Sequence, residues 1–154
     1  PDLPRELFVK RILGLPGDQI AFRDGAIAVN GKWVETRPLG VTFVDERGGR
    51  LDVYEQSVGS RTWRILDDPA GDFPDPEPIT VPKGRYYVLG DNRDHSKDSR
   101  VWGTVARNDM LGPVTQVYWS WDFNGAWAEL LDPRVWWDLL SRRARWDRIG
   151  LRVQ

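Results

Sequence analysis

The sequence has no cysteine and a single histidine, His95, among its 154 residues. The lack of cysteine excludes disulfide bonds, thiolate nucleophiles and metal sites that depend on sulfur, but it leaves the redox compartment open. One histidine cannot supply a metal site that needs several imidazole ligands. We therefore expect no metal ion and no other cofactor.

Long apolar runs and a strong charge imbalance are missing as well. No stretch approaches the roughly 18 consecutive apolar residues that a membrane helix requires, and no signal peptide is visible. A net charge of −1 does not give the basic surface that nucleic-acid binding needs. With 40% hydrophobic and 29% charged residues, the chain has the composition of a globular domain with its own core.

The first part of the chain has the pattern of short antiparallel strands joined by tight turns. Pro-Gly at 16–17 predicts a type II turn. Asp-Gly at 24–25 and Asn-Gly at 30–31 are strong signals for type I′ turns, which need positive φ at both central residues. We therefore predict an antiparallel meander over 6–35, with strands at 6–13, 20–23, 26–29 and 32–35.

Hairpin patterns continue through the middle of the chain. Residues 41–47 and 50–56 predict a further hairpin, and residues 62–66 predict another strand. Residues 67–78 contain four prolines and five acidic residues, a composition that predicts a mobile surface loop. Residues 79–89 then predict a strand, a turn and a second strand.

The C-terminal part is rich in tryptophan. We predict a strand at 112–121, a helix at 134–145 that follows the capping pair Asp-Pro, and a last strand at 149–153. The aromatic and basic residues here fit two alternatives, core packing or contact with a membrane surface; they include Trp119, Trp121, Trp127, Trp136, Trp137, Arg134, Arg142, Arg143 and Arg145. The predicted fold is a mainly β single domain over 1–154, with antiparallel sheets and hairpins around one core and one short C-terminal helix.

Residues 90–100, GDNRDHSKDSR, form the densest polar stretch of the chain, with seven ionisable side chains among eleven residues. The stretch follows the apolar segment YYVL and precedes Val-Trp-Gly, so it is tied down at both ends. We interpret it as a network in which carboxylates and guanidinium groups satisfy one another. A Ca²⁺ loop starting at Asp91 is not expected, because Arg93 would occupy a ligand position. His95 is expected to be an ordinary surface residue.

Two segments together resemble the signature sequences of bacterial type I signal peptidases. They are FVKRILGLPGDQI at 8–20 and GRYYVLGDNRDHSKDSRVWGTV at 84–105, and the tail RWDRIG at 145–150 also resembles the end of such proteins. The resemblance implies the β fold of those enzymes, with residues 36–78 as a variable insert. It also implies a Ser–Lys endopeptidase that removes signal peptides from exported preproteins. Such an enzyme is anchored on the outer face of the cytoplasmic membrane by an N-terminal transmembrane segment.

The resemblance also assigns roles to residues of this chain. Lys10 would be the general base, and Ser96 would be the hydroxyl that orients it. Asp98 and Arg100 would form a salt bridge beneath the site. The supporting residues would be Arg11, Gly90, Asp91, Asn92, Arg93 and Asp94, although Arg11 could equally be a plain surface charge.

The chemistry of a lysine base sets a condition on its surroundings. An exposed lysine is protonated at neutral pH and cannot accept a proton, whereas burial disfavours the ammonium form. We expect Phe8, Val9 and Ile12 to supply apolar walls around Lys10. A hydroxyl such as that of Ser96 would hold the amine without adding a negative charge that keeps it protonated.

The nucleophile of such enzymes lies in a Ser-Met-x-Pro box before the lysine, and the sequence contains no such box. The resemblance therefore implies that the nucleophile, its oxyanion donors and the anchor lie upstream, and that this chain alone is inactive. The implied partners are preprotein signal peptides, bound as an extended strand with small residues before the cut, and the membrane lipid surface. No nucleic-acid partner is expected, and the oligomeric state stays open.

Other functions stay open at this point. One is a non-catalytic relative that serves as a membrane-surface binding module, which a Ser-Met-x-Pro box upstream would exclude. Another is a Ser–Lys peptidase that processes conjugation pili, whose family shares distant versions of the same segments. Self-cleaving repressor domains also use a Ser–Lys pair, but they lack a polar loop like residues 90–100.

Overall fold

The computed structural model describes residues 7–45, 48–71, 74–118, 120, 136 and 144–153. The chain divides into two units, Pro1–Gly112 and Pro113–Gln154. The strands of the described part lie in the first unit and form antiparallel sheets, so the prediction of a mainly β fold is confirmed. The assignment of 1–154 to a single domain stays a prediction.

The first unit consists of ten strands and one short helix among its described residues. In chain order these are β1 (Arg11–Gly14), β2 (Gln19–Arg23), β3 (Ala26–Val29), β4 (Lys32–Trp33), β5 (Glu35–Val44), β6 (Arg50–Val58), β7 (Arg61–Asp67), β8 (Ile79–Thr80), β9 (Arg85–Leu89), α1 (Ser99–Trp102) and β10 (Val105–Ala106). Single 3-10 turns follow at Arg107–Asp109 and, in the second unit, at Trp146–Arg148.

The strands form three sheets with the orders β1-β9-β10, β4-β3-β2-β8 and β5-β6-β7. The first of them, which we call the site sheet, holds both signature segments. The last, which we call the insert sheet, is built by residues 35–67, and all but its first residue fall in the region 36–78 that the resemblance marked as variable. Its two antiparallel ladders join β5 to β6 and β6 to β7.

Two hairpin turns form as their sequences predict. Asp24 and Gly25 have φ values of 51° and 75°, and Asn30 and Gly31 have φ values of 53° and 75°. Positive φ at both central residues is the type I′ geometry that matches the twist of paired strands. The Asn30 side chain adds a local clamp, because its Oδ1 accepts a hydrogen bond from the Gln19 amide at 2.9 Å.

The core of the first unit lies between the site sheet and the β2–β3 hairpin. Its buried members are Ile20, Ile27, Val34, Val81, Tyr87 and Leu89. Each such aliphatic or aromatic side chain contributes about 1.5–3 kcal/mol through removal from water. Gly14 lies against this core so closely that a Cβ atom would come within 3.0 Å of Ile20, Val81 and Tyr87. The core therefore fixes β1 against β9.

The first predicted strand is wrong in its bounds. The pattern predicted a strand over 6–13, but β1 runs from Arg11 to Gly14, and residues 7–10 are not in a strand. The reason is the length of the partner strand. Arg11 pairs with Leu89, the last residue of β9, and the chain beyond Leu89 leaves the sheet. Lys10 therefore lies just outside the strand, beside the polar loop.

The predicted C-terminal strands are also wrong in extent. Within 112–118 and 149–153 the structure has one isolated antiparallel bridge, between Gln116 and Arg152, rather than two full strands. The predicted helix at 134–145 falls outside the described residues, except for Trp136 and residues 144–145. Trp119, Trp121 and Trp127 also fall outside them. Among the described residues, no helix combines the length and the apolar character needed to cross a membrane.

Candidate active site

The polar loop is built on a buried strand and ends in a short helix. The last three residues of β9 are buried, and Gly90 follows directly. At the other end, Asp98 is the N-cap of α1, and its carboxylate accepts a hydrogen bond from the Arg100 amide at 3.2 Å. Ser99 fastens the helix to the strand, because its Oγ accepts from the Val88 amide at 2.9 Å. Both ends of the loop are thus fixed, as the sequence predicted.

Lys10 and Ser96 meet across 86 positions of sequence. The Lys10 Nζ atom donates a hydrogen bond to the Ser96 Oγ atom over 2.7 Å. Ser96 is buried, with 7% of its surface exposed, and Lys10 is partly buried. Gly90 lies against the pair, and a Cβ atom there would be 2.1 Å from Ser96 Oγ and 3.3 Å from Lys10 Nζ. Only a glycine therefore leaves room for this contact.

Asp98 lies beneath the pair and is completely buried. Its carboxylate accepts hydrogen bonds from Gly90 N at 2.9 Å and from Arg100 Nε at 2.9 Å, and it forms an ion pair of 2.8 Å with the second guanidinium nitrogen. Burial alone would raise the pKa of Asp98. Several interactions outweigh burial and hold that pKa below its ordinary value. In order of size they are the hydrogen bonds from Arg100 and from Gly90 N, the Arg100 charge and the Ser96 hydroxyl.

The hydroxyl of Ser96 has two neighbours, the Lys10 amine and the Asp98 carboxylate. Its oxygen accepts from the Lys10 amine, and the Ser96 hydroxyl is the last of the groups that lower the pKa of Asp98. A hydroxyl can donate to one neighbour while its lone pairs accept from another. Burial is the main cause that raises the pKa of the neighbouring Tyr87 to about 12, and the negative charge of Asp98 is the second. This tyrosine is therefore neutral at physiological pH.

Arg11 and Asp91 form a second ion pair at the edge of the site. The guanidinium makes two parallel hydrogen bonds to the Asp91 carboxylate, at 2.9 and 2.8 Å. The Arg11 guanidinium also lies 5.0 Å from the centre of the Trp63 ring, a cation–π distance. Asp91 is nearly half exposed, so the pair is a partly solvated link between β1 and the start of the polar loop.

Arg93 is a buried cation of the loop, with 6% of its surface exposed. One guanidinium nitrogen donates to the Gln56 Oε1 atom of the insert sheet at 2.6 Å. Burial, followed by repulsion from Arg100, lowers the pKa of Arg93 to about 10. It remains charged at neutral pH, so its acceptor Gln56 is required to satisfy it.

Asn92 and Asp94 connect the loop to the end of β7. Asn92 forms an isolated parallel bridge with Leu66, and the Asp94 carboxylate accepts from the Asp68 amide at 2.7 Å. Burial, and then the Asp94 charge, raises the pKa of Asp67 above its ordinary value. The acidic loop predicted over 67–78 thus begins with an anchored segment.

The site differs from the sequence-based picture in its apolar walls. Phe8, Val9 and Ile12 were expected to enclose Lys10, but their side chains are 55%, 74% and 47% exposed. Phe8 still contacts the lysine, because the centre of its ring lies 5.6 Å from Lys10 Nζ. For Phe8 and Val9 the expectation fails because residues 7–10 are outside the strand and have no sheet to pack them against the lysine. Ile12 does lie in β1, but it is nearly half exposed.

Three residues of the network were given no role from the sequence, and two of them, Gln56 and Trp63, have no local signal that singles them out. Both belong to the insert sheet: Gln56 contacts Arg93 of the polar loop, and Trp63 contacts Arg11 of β1. Arg93 is 37 positions away from Gln56 in the sequence. Ser99 is within the loop, where its position next to the N-cap of a short helix could have marked it. His95 is exposed, as expected, and the described residues contain no group of three or more potential metal ligands.

The arrangement has a definite chemical capacity. It holds the Lys10 amine at hydrogen-bond distance from the Ser96 hydroxyl. It also keeps the negative charge of Asp98 paired with Arg100 rather than with that amine. An amine held in this way can act as a base once it is uncharged.

Known proteins resemble this chain in sequence. A family model described as signal peptidase, peptidase S26, matches residues 1–119. Signal peptidase IB of Staphylococcus aureus is 32% identical over 112 residues, which cover 73% of this chain and 53% of that protein. Signal peptidase I of Pseudomonas aeruginosa is 30% identical over 135 residues, covering 79% of this chain and 46% of that protein.

A crystal structure of a signal peptidase I from Enterococcus faecalis has 27% sequence identity, with a TM-score of 0.38 and coverage of 69% of this chain and 80% of that chain. The chain spans about half the length of the curated relatives it matches. The match of the family model to most of the chain, and relatives at 30% identity or more, show that this chain belongs to the signal peptidase family, peptidase S26.

Proposed function

We propose that the full-length protein is a serine endopeptidase that removes signal peptides from exported preproteins, with Lys10 as the general base of a Ser–Lys dyad. The observation that carries the proposal is the hydrogen bond of 2.7 Å between Lys10 Nζ and Ser96 Oγ, next to a glycine that leaves room for both. Membership of the signal peptidase family supports the same reaction.

The proposed reaction gives each part of the site a task. An uncharged Lys10 takes the proton of a serine hydroxyl as that oxygen attacks the scissile carbonyl, and it then returns the proton to the leaving amine. Ser96 keeps the amine in one position. Asp98 and Arg100 hold Ser96 and Gly90 in place, and their charges cancel each other.

The attacking serine belongs, in this proposal, to a Ser-Met-x-Pro box outside the 154 residues, because none of the six serines here stands in such a box. The anchor that holds the enzyme on the outer face of the cytoplasmic membrane lies outside them too. The 154-residue chain alone is then inactive. Serine-dependent cleavage by this chain alone would contradict that part of the proposal.

The proposed substrate is an extended preprotein segment with small residues at the first and third positions before the cut. The free side of β1 supports this mode of binding. Among the described residues β1 is an edge strand of the site sheet, with β9 on its other side, and it begins next to Lys10. A peptide added along that edge would carry its carbonyl groups past the lysine.

The experiment uses the purified full-length protein in detergent and a preprotein with alanine at both positions before the cut. Mass spectrometry of the product is expected to show one new N-terminus directly after the second alanine. A matched preprotein with a bulky residue in place of that alanine is expected to stay intact. Cleavage of both substrates alike, or of neither, would contradict the proposal, and the second outcome would favour a non-catalytic binding module.

A further inference from the structure

The insert sheet is docked against the polar loop by backbone hydrogen bonds. Leu66 N donates to Asp91 O at 2.8 Å, and Arg93 N donates to Leu66 O at 2.8 Å. These two bonds continue β7 onto the loop as a short parallel pairing. The loop that carries Ser96 therefore takes its register in part from a sheet that the sequence places outside both signature segments.

A buried side-chain contact fixes the same junction. Gln56, in β6, is 2% exposed, and its Nε2 atom donates to Thr36 Oγ1 of β5 at 3.0 Å. Because its amino group is used there, the Oε1 atom is the one that faces Arg93, at 2.6 Å. Gln56 is thus oriented by its own sheet before it contacts the loop.

The contact leads to the lysine through a continuous set of hydrogen bonds. The Arg93 carbonyl accepts a hydrogen bond from the Arg100 guanidinium. Arg100 holds Asp98, and Asp98 holds the Gly90 amide that lies against Ser96 and Lys10. A shift of Arg93 would therefore displace the groups that set the distance between Ser96 Oγ and Lys10 Nζ.

We propose that Gln56 is a positioning residue for the reaction, and that the insert sheet sets the geometry of Lys10 and Ser96 through Arg93. The inference rests on the proposed function. The side-chain hydrogen bonds of Gln56 go to Thr36 and to Arg93, so its effect on the site would pass through the loop. The alternative is that Gln56 only satisfies a buried cation and has no effect on turnover beyond stability.

The first test replaces Gln56 in the full-length protein and follows preprotein cleavage under steady-state conditions. Gln56→Leu removes the acceptor while keeping the volume, and we expect kcat to fall by about tenfold to hundredfold with little change in KM, as misplaced catalytic groups do. Gln56→Glu keeps an acceptor for Arg93 and is expected to stay within a few-fold of the wild-type rate. The control is Gln19→Leu, at an exposed glutamine of β2, with wild-type kinetics.

The second test separates positioning from stability. In the double variant Gln56→Leu with Arg93→Met, no buried cation is left without an acceptor, so the melting temperature is expected to recover towards the wild-type value. If Gln56 positions the loop, kcat stays low although stability recovers. A rise of kcat together with the melting temperature would overturn the inference, and so would a folded Gln56→Leu variant with full activity.

The failure of this inference differs from the failure of the proposed function. If the wild-type protein cleaves the preprotein and the Gln56 variants do as well, the inference is wrong and the proposed function stands. If the wild-type protein does not cleave the preprotein at all, the proposed function is wrong, and the positioning role falls with it.

Discussion

Asp98 is the residue whose charge state sets the acid stability of the site. Its pKa in the folded protein lies below the ordinary value near 3.8, since the hydrogen bonds from Arg100 and Gly90 outweigh burial. A group with a lowered folded pKa stabilises the folded state above its unfolded pKa and loses that contribution as the pH falls through the folded value. Asp98 therefore stabilises the protein at neutral pH. It starts to lose that contribution as the pH falls below about 3.8, and the contribution is fully lost only below the lowered pKa of the folded state.

Replacement of this carboxylate has a predictable pH dependence. Asp98→Asn is expected to lower the free energy of unfolding at pH 7 by about 3–5 kcal/mol, because it leaves the buried Arg100 without its counter-charge. Urea unfolding of both proteins from pH 7 to pH 3 checks this. The difference between them should shrink at the acid end, and a difference that stays constant over the whole range would contradict the assignment.

Gly90 makes a second prediction at the scale of one residue. In Gly90→Ala the new Cβ atom would lie 2.1 Å from Ser96 Oγ and 2.5 Å from Ser96 Cβ, so the serine must move away from Lys10. We expect a loss of preprotein cleavage of about a hundredfold or more, because a displacement of about 1 Å is enough for that effect. Cleavage rates of the full-length variant provide the measurement.

The matched control for this change is Gly112→Ala, because a Cβ atom there meets nothing within 4 Å. It should cleave at the wild-type rate. An active Gly90→Ala protein would show that the close approach of Gly90, Ser96 and Lys10 is not needed for the reaction.

The residues of the site were partly predictable from sequence. Lys10, Ser96, Asp98 and Arg100 were proposed from the signature segments, and the structure brings each pair within hydrogen-bond distance. Their catalytic roles stay predictions. Gln56 and Trp63 could not be identified, because their importance comes from the docking of a distant sheet and no local pattern encodes that contact.

Among the elements, the acidic loop and the β2–β3 hairpin are linked by one side chain. The Asp75 carboxylate accepts hydrogen bonds from the Asp24 amide at 2.6 Å and from the Gly25 amide at 3.0 Å. These amides belong to a type I′ turn and point away from the ladder, as the first amides of a helix do at an N-cap. Asp75 thus anchors the loop to the second sheet.

Removal of that anchor should cost a modest amount of stability. Asp75→Ala is expected to lower the free energy of unfolding by about 1 kcal/mol, the size of an N-cap effect, because water can reach the exposed amides. Thermal or urea unfolding at neutral pH measures it. Glu77→Ala, at an exposed position of the same loop, should have no effect, and equal effects of both changes would rule out a specific role for Asp75.

Element predictions succeeded where the signal was local and failed where it was not. The Asp-Gly and Asn-Gly turns require only their own backbone geometry, and both have it. The start of β1 depends on where β9 ends, and the pairing at 112–118 depends on a partner in 149–153, so neither boundary could be derived from alternation of polarity. Tertiary context decided those cases.

At the scale of the whole molecule, the first unit brings three sheets together around one loop. Lys10 directly precedes β1 of the site sheet, and the loop starts directly after β9 of the same sheet. The second sheet completes the core, and the insert sheet holds Arg93 and Asp91. The class of fold followed from turn signals and strand patterns. The docking of the insert sheet did not, because backbone pairing between Leu66 and the loop leaves no periodic mark in the sequence.

The central claim is that Lys10 is the general base of a signal peptidase, and one substitution tests it most directly. Lys10→Met is close in shape to lysine but cannot accept a proton. In the full-length protein it is expected to reduce preprotein cleavage by about 10²–10⁴-fold or more, while thermal unfolding still shows a folded protein. Lys83→Met, at an exposed lysine between β8 and β9, serves as the control with wild-type activity. Cleavage by folded Lys10→Met at the wild-type rate would contradict the account.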